Sequence, residues 1–322
     1  MHFNLKALWL ALGLAPFAAV AATALDYPTR SARIVVGYPA GGSTDILARI
    51  IGQWLSERLG QQFVVDNKPG AGNNLGTDMV AKADPDGYTL LLVNPANAIN
   101  TTLFPKLPFD FVRDIAPVGG LIRVPNVLEV NPQVPVKTVP ELIAYAKANP
   151  EKLNLASSGT GTSIHMSGEL FKMMTDTKMQ HVPYRGSAPM LIDLLAATVQ
   201  LTFDNMPSSI QHIREGKLRA IAVTTAKRSE ALPDVPVVAD FVPGYEASAW
   251  FGLGAPKGTP KEIIDKLNAE INAALNDPKT RAKLADLGGA MMEGSADDFG
   301  KIIVEETEKW AKVVKFSGAK PE

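Results

Sequence analysis

The chain has 322 residues, 46% of them hydrophobic and 20% charged, with a formal net charge of −1. That length exceeds most single cores and points to two domains, and the near-neutral charge gives no footprint for nucleic acid or an anionic membrane surface. There is no cysteine and there are four scattered histidines, which excludes disulfides, thiolate metal sites and cysteine nucleophiles, so no metal and no cofactor is expected.

At the N-terminus Lys6 precedes an apolar run over residues 7–14, and small residues follow at Ala19, Ala21, Ala22 and Ala24. A basic residue, a short apolar segment and small-residue cleavage sites make residues 1–24 a signal peptide, so the mature chain is expected in the periplasm. No later apolar run reaches membrane-spanning length.

Arg33-Ile34-Val35-Val36 is a β-branched run, read as a buried strand. Gly37-Tyr38-Pro39-Ala40-Gly41-Gly42-Ser43-Thr44-Asp45 follows. Then Ile46, Leu47, Ile50, Ile51, Trp54, Leu55 and Leu59 recur at helical spacing up to Gly60, a left-handed C-cap. A strand, a glycine turn and a helix start gather free backbone N–H groups and a positive dipole end at one point, a ready anion site. The turn is neither a P-loop nor a G-x-G-x-x-G fingerprint. Tyr38, Ala40, Gly41, Gly42, Ser43 and Thr44 are its candidate ligand contacts; Tyr38 either closes over a ligand or packs, and a tight turn without ligand stays open on this stretch alone.

Residues 62–66 read as a strand, 73–83 as a helix and 88–93 as a strand, an alternation that implies a parallel sheet covered on both faces. Ligands in such sheets gather at the carboxyl ends of strands, so the turn after Val36 is expected beside a loop at 94–97. There Asn94 and Asn97 either offer amides to a ligand or cap a turn. Pro105, Pro108, Pro117, Pro125 and Pro132 predict extended rather than helical chain over 100–131, with strands at 117–122 and 126–130 and a domain crossing between Arg123 and Pro135.

A second alternation begins with the capping box Thr138-Val139-Pro140-Glu141. A strand at 152–156 leads into Ser157-Ser158-Gly159-Thr160-Gly161-Thr162-Ser163 and a helix from Ile164 to Met174, the same strand, glycine, hydroxyl and helix order as before. Ser157, Ser158, Thr160, Gly161, Thr162 and Ser163 are candidate contacts, and His165 either lines the cleft or belongs to the core. Ser163 and His165 stand two apart on a helix and face apart, and no G-x-S-x-G elbow exists, so nucleophilic catalysis is not expected. Strands at 180–184, 199–204 and 218–224 alternate with helices at 189–197 and 207–215. Asp204, at a strand end, orients a water, accepts from a ligand or holds its own turn. Arg185 contacts anions or forms a surface salt bridge, the second being the safer reading.

Residues 228–243 are proline-dotted and read as the return connector. A strand follows at 249–255, where Trp250 and Phe251 read as core rather than cleft. Thr259-Pro260-Lys261-Glu262 is a capping box opening a helix to 275, and helices follow at 278–287 and 297–316. Two crossings give lobe I at 25–125 and 246–322 and lobe II at 126–245. With one anion turn in each lobe, three or four charge-assisted N–H bonds of about 1.5–3 kcal/mol each would hold a small carboxylate without arginine.

The chain resembles the Bug/TctC family, extracytoplasmic solute receptors of tripartite tricarboxylate transporters. The resemblance rests on Pro39-Ala40-Gly41-Gly42 with Asp45, Asn67-Lys68-Pro69-Gly70-Ala71-Gly72, Ala83-Asp84-Pro85-Asp86-Gly87-Tyr88, His181-Val182-Pro183-Tyr184-Arg185-Gly186, Phe203-Asp204 and Leu232-Pro233-Asp234-Val235-Pro236. It implies a type II periplasmic binding protein of α/β class, two lobes with mostly parallel sheets joined by a two-crossing hinge. It further implies a monomer that is not an enzyme and captures a small carboxylate (di- or tricarboxylate, acidic amino acid or aromatic acid) for the membrane permease subunits of such a transporter. By position the family's carboxylate-holding loops fall at 40–44 and 157–163, with Asp204 nearby. Tyr38-Pro39-Ala40 stands where Phe-Pro-Pro is common in the family, and Asn205-Met206 is followed by Pro207, so the variable part of the cleft leaves ligand identity open. The other readings are a stand-alone sensor that signals to a membrane kinase and an enzyme on the same scaffold.

Overall fold

Ile34, Val35 and Val36 are fully buried in β1 (Ala32–Val36), as a β-branched run should be. The computed structural model describes residues 25–150 and 152–321, so the signal-peptide reading of 1–24 lies outside the described residues. The chain continues through α1 (Ser43–Leu59), ended by Gly60 at φ 74°, then β2 (Phe63–Asn67), α2 (Asn74–Ala81) and β3 (Thr89–Val93).

Next come α3 (Pro95–Leu103), the single turn α4 (Phe111–Asp114) and β4 (Ile115–Val130), one strand of 16 residues. The two helices correct the extended reading of 100–131. Asn94 caps α3 with Pro95 at its first position, where the fixed φ of proline suits a helix start, so the loop expected at 94–97 opens a helix instead. The two strands expected around Arg123 are one, since β4 runs through Pro125 at the point where it changes partners.

Beyond β4 lie α5 (Val139–Ala148), β5 (Asn154–Ser157), α6 (Ser163–Thr175), β6 (Gln180–Pro183), α7 (Ser187–Leu195), β7 (Leu201–Asn205), α8 (Met206–Arg214) and β8 (Arg219–Val223). The chain returns through β9 (Ser248–Pro256), α9 (Lys261–Asn276), α10 (Pro278–Asp286), the short β10 (Ala290–Met291) and α11 (Ala296–Ser317). The box expected at Thr259 does not form. Its hydroxyl donates to Pro256 O at 2.8 Å, and the helix starts at Lys261 behind Pro260.

The strands follow the order β2-β1-β3-β9-β4-β7-β5-β6, with β8 and β10 also on β4. Pairing is parallel between β1 and β2, β1 and β3, β5 and β6, and β5 and β7, where helices make the crossovers. Every antiparallel pairing involves β4 or β9. β4 faces β9 as far as Pro125 opposite Ser248, and from Asn126 onward it faces β7 and β8. β4 thus carries the chain from one sheet to the other, and Asn126 marks the change. Its N–H donates to Thr224 Oγ1 (2.8 Å) and its side-chain amide to Phe203 O (2.7 Å).

Each sheet has its own core. Ile34, Leu90, Leu253 and Leu267 pack in one, and Leu128, Leu155, Phe171 and Phe203 in the other. α11 serves both sides: Phe299 and Ile303 pack beside Trp250, while Trp310 and Val314 join the cluster of Leu128 and Phe203.

Candidate functional site

Five helices bring their N-termini to one small space. Gly42, Ser43 and Thr44 bring the start of α1, and Asn94 and Pro95 that of α3. Thr162 and Ser163 bring α6, Ser187 brings α7, and Asn205 brings α8. Tyr38, Ser158 and Phe251 complete a cavity of about 20 Å³ with no charged side chain on its wall. Each helix start carries roughly half a positive charge and N–H groups without intrahelical partners. The space is therefore electropositive although no lysine or arginine lines it.

The α1 turn is held open by its own carboxylate. Asp45 accepts Gly41 N–H (3.0 Å), both arms of Arg49 (2.9 Å each) and the Asn67 amide (3.1 Å). Burial pushes this carboxyl up, but the bonds from Arg49, Gly41 and Asn67 together outweigh it and hold it below the usual range. With Asp45 turned back on Gly41, and with glycine at the N-cap, no side chain caps the first N–H groups of α1. Gly41 has φ 92°, a backbone region that glycine enters without strain.

In the second turn the hydroxyls are mostly occupied. Thr162 Oγ1 accepts His165 N–H (3.2 Å) and donates to Gly159 O (2.8 Å). Ser163 Oγ accepts the Asn205 amide (3.1 Å), which also reaches Asn126 Oδ1 (3.1 Å) and so joins the cavity wall to the strand change at Asn126. Ser157 is fully buried, accepts Gly159 N–H (3.2 Å) and lies 2.7 Å from His181 Nε2. His165 stacks on His181 at 4.0 Å, and its Nδ1 accepts Gly161 N–H (3.3 Å). The two imidazoles pin the turn from behind rather than facing the cavity.

Burial lowers His165 to about 4, with Lys172 adding to the shift, and lowers His181 to about 3, with the neighbouring His165 adding to it. Both rings are neutral in the folded chain, which Nδ1 acceptance at His165 requires. A histidine lowered on folding contributes fully above its unfolded value of 6.5 and loses that contribution as pH falls toward the folded value. The melting-temperature advantage of the natural chain over His165→Gln is therefore expected to shrink between pH 7 and 4.5. An advantage that stays constant across that window contradicts the pinning role.

Tyr38, Gly42, Ser43, Thr44, Asn94, Ser158, Thr162 and Ser163 meet at the cavity. Ala40 and Gly41 lie outside it, on the exposed rim of the turn. Asn97 is spent on structure: its Oδ1 accepts Asn94 N–H (2.9 Å) and its amide donates to Thr77 Oγ1 (2.7 Å). Asn94 has both roles, capping Ala96 N–H through Oδ1 while its buried Nδ2 has no partner. Thr160 lines a neighbouring groove, and Gly161 packs against Asn100 of α3. Asp204 lies under the wall and accepts Ser187 Oγ (2.9 Å) and Ser208 Oγ (2.5 Å). Burial raises it to about 6, against the hydrogen bonds from Ser208, Ser187 and the Asn205 N–H. Since Ser208 donates to Asp204, the 3.0 Å contact between Ser208 and Ser43 has Ser43 as donor, and it ties α1 to α8 across the two sheets.

Ser187, Asn205, Pro95 and Phe251 escaped the sequence reading. Gly186-Ser187 is a third glycine–hydroxyl helix start, hidden because Pro189 looked like the first helical residue. Phe251 is 1% exposed and reads as core from sequence, as does fully buried Trp250, yet it lines the cavity.

Two α/β lobes, a long strand shared between their sheets and a polar space between helix starts define a periplasmic binding protein of the second structural type. The profile described as "Tripartite tricarboxylate transporter family receptor" (TctC) matches residues 47–318. Protein BugT of Bordetella pertussis is 39% identical over 297 residues, 91% of each chain. The structure of R. palustris Rpa4515 with adipate is 42% identical, with a TM-score of 0.90 over 92% of this chain and all of that one. MatC of Rhodopseudomonas palustris with bound malate is 33% identical, with a TM-score of 0.85 over 89% of this chain and all of that one. The chain belongs to the TctC receptor family, a family of solute-binding receptors. No helix among the described residues is long and apolar enough to cross a membrane.

Proposed function

We propose that this protein is a periplasmic receptor that captures a small carboxylate between its lobes and presents it to the membrane permease subunits of a tripartite tricarboxylate transporter. The observation that carries the proposal is the convergence of five helix N-termini on a cavity with no charged side chain. Backbone N–H groups favour an ionised acceptor over a neutral one, and three or four of them gross about 5–10 kcal/mol. After ordering costs, micromolar binding needs about 8 kcal/mol net. The adipate and malate of the two Rhodopseudomonas proteins have the chemistry that such a space favours.

The lobes of this reading are 25–125 with 246–322 and 126–245, closing about Asn126. Ser43, Thr44, Thr162, Ser163 and the free amide of Asn94 hold the carboxylate, with Ser187 and Asn205 positioned by Asp204 and Asn126. The protein acts as a binding protein, not as an enzyme, since Ser157, which pairs with His181, is fully buried and bonded to its own turn.

Native mass spectrometry of the purified protein is expected to reveal a co-purified organic acid. In a thermal-shift series, mono- and dicarboxylates should raise the melting temperature while sugars and neutral amino acids leave it unchanged. Stabilisation by a sugar and by no acid would overturn the proposal.

A further inference from the structure

Two hydroxyls on the cavity wall have their hydrogens drawn away from the ligand space. Ser187 Oγ donates to Asp204 Oδ1 (2.9 Å). Ser43 Oγ donates to Ser208 Oγ (3.0 Å), which donates in turn to Asp204 Oδ2 (2.5 Å). An ionised carboxylate accepts and cannot donate, so both runs end on Asp204 and leave oxygen lone pairs toward the cavity. A carboxylate guest gains nothing from lone pairs.

Asp204 is fully buried, and a second fully buried carboxyl stands beside it. In the β4–β7 ladder Glu129 lies opposite Thr202 and Val127 opposite Asp204, so Glu129 and Asp204 are diagonal neighbours on one face of the sheet. Neither Glu129 oxygen has a partner in hydrogen-bond geometry, and Ser209, the α8 hydroxyl beside it, has none either. No cation acts on either carboxyl among the described residues. α7 presents Ser187 and Met190 to this face, while its Asp193 is bonded to Tyr184 Oη. α8 presents Ser208 and Ser209 and carries His212 and Arg214 only in its last turn, Arg214 on Asp286. Burial raises Glu129 well above the usual carboxylate range, with the charge of Asp204 adding to it. Two carboxyls buried together without a cation do not both ionise, so the pair holds a proton at neutral pH. Burial also raises Asp204 to about 6, so a second proton exchanges just below neutrality.

We propose that Asp204 is a proton-operated control of the carboxylate site, which takes up a proton with the anion it binds. The charge of a guest in the cavity, one hydroxyl away from Asp204, favours the proton there. The proton comes from solvent onto Oδ2 and is donated to Ser208 Oγ. Ser208 turns its own hydrogen to Asn205 O (2.8 Å), and Ser43 is released. Ser187 exchanges an ionised acceptor for a neutral one, and both hydroxyls donate to the guest. Asp204 touches no ligand and acts through these two serines. The assignment rests on the carboxylate-receptor reading above and adds its regulation.

Calorimetric titration of the full chain with adipate between pH 8.5 and 6.5 tests it. Over that window an ordinary carboxylate stays ionised, and His165 and His181 stay neutral. Affinity should rise about tenfold as pH falls through it, the linkage signature of a proton bound with the guest. Titrations at pH 7 in two buffers of different ionisation heat should read that uptake directly on the natural chain. Asp204→Asn carries an amide that donates to Ser208 at every pH. It should lose the slope and the uptake, and at pH 8.5 it should bind adipate more tightly than the natural chain. Glu129→Gln keeps Asp204 and should keep both. A bracing role alone would leave the natural chain without a slope and Asp204→Asn weaker by one factor at every pH, and that result overturns the proposal. So does a slope that survives in Asp204→Asn or is lost in Glu129→Gln. If adipate binds without proton uptake, the control fails while the receptor reading stands. If adipate binds at no pH, the receptor reading fails, and this one with it.

Discussion

Gly161→Val is expected to lower carboxylate affinity about a hundredfold or more while leaving the ligand-free protein folded. Gly161 has φ 80° and faces α3 across the lobes, where a Cβ would sit 2.2 Å from Asn100 Oδ1 and 2.8 Å from Leu103 Cδ2. A valine there is a wedge in the closed form and a solvent-facing side chain in the open one. Overpacking at a contact this close costs about 3 kcal/mol, and each 1.4 kcal/mol is tenfold in affinity. The positive φ adds about 1–2 kcal/mol in both forms, which lowers stability but cancels in binding. Gly60→Ala separates the two effects, since Gly60 has φ 74° with nothing within 4 Å. It should cost stability and leave affinity alone. Titration calorimetry reads the affinities, and small-angle scattering should show a larger radius for Gly161→Val in the presence of ligand. Undiminished affinity in the wedge variant would mean that closure at this contact is not part of binding.

The second large effect comes from removing single N–H donors. Ser43 and Ser163 are the first residues of α1 and α6, where proline is tolerated because the helix does not use that N–H. The preceding residues are already extended, Gly42 at φ −87°, ψ 172° and Thr162 at φ −86°, ψ 161°, as a residue before proline must be. Ser43→Pro and Ser163→Pro should therefore fold normally with one fewer donor at the cavity. Ser43→Ala and Ser163→Ala remove only the hydroxyl, which in Ser43 reaches Ser208 and in Ser163 accepts from Asn205. The proline variants should bind about 10- to 150-fold more weakly than the alanine variants, the range of one charge-assisted hydrogen bond. Equal affinities for proline and alanine at both positions would assign the binding to the hydroxyls and not to the backbone.

The alternation of strands and helices was legible because β-branched runs and apolar helix faces are local signals, and the two glycine–hydroxyl turns were legible for the same reason. The convergence of five helix starts was not, because it depends on which strands pair across long sequence distances. Asn205 meets Ser163 only because β4 faces β7 beyond Asn126. α3 was hidden by reading 94–97 as a loop, although asparagine followed by proline, with a second asparagine three positions after the first, is also a helix start. β4 was divided in two because Pro125 was read as a break. It is where β4 leaves β9, so the proline sits at the change of sheets instead of inside one ladder. Asp204 and His165 were placed near the site by position, but burial decided their role, and burial is a property of the packed chain: both brace the wall from behind.

A crystal structure of the protein with adipate tests the central claim most directly. One carboxylate is expected between α1 and α6, its oxygens within about 3.2 Å of N–H groups from Ser43 or Thr44 on one side and Ser163 or Ile164 on the other. An acid seated elsewhere, or one touching backbone N–H groups of a single lobe only, would contradict the account.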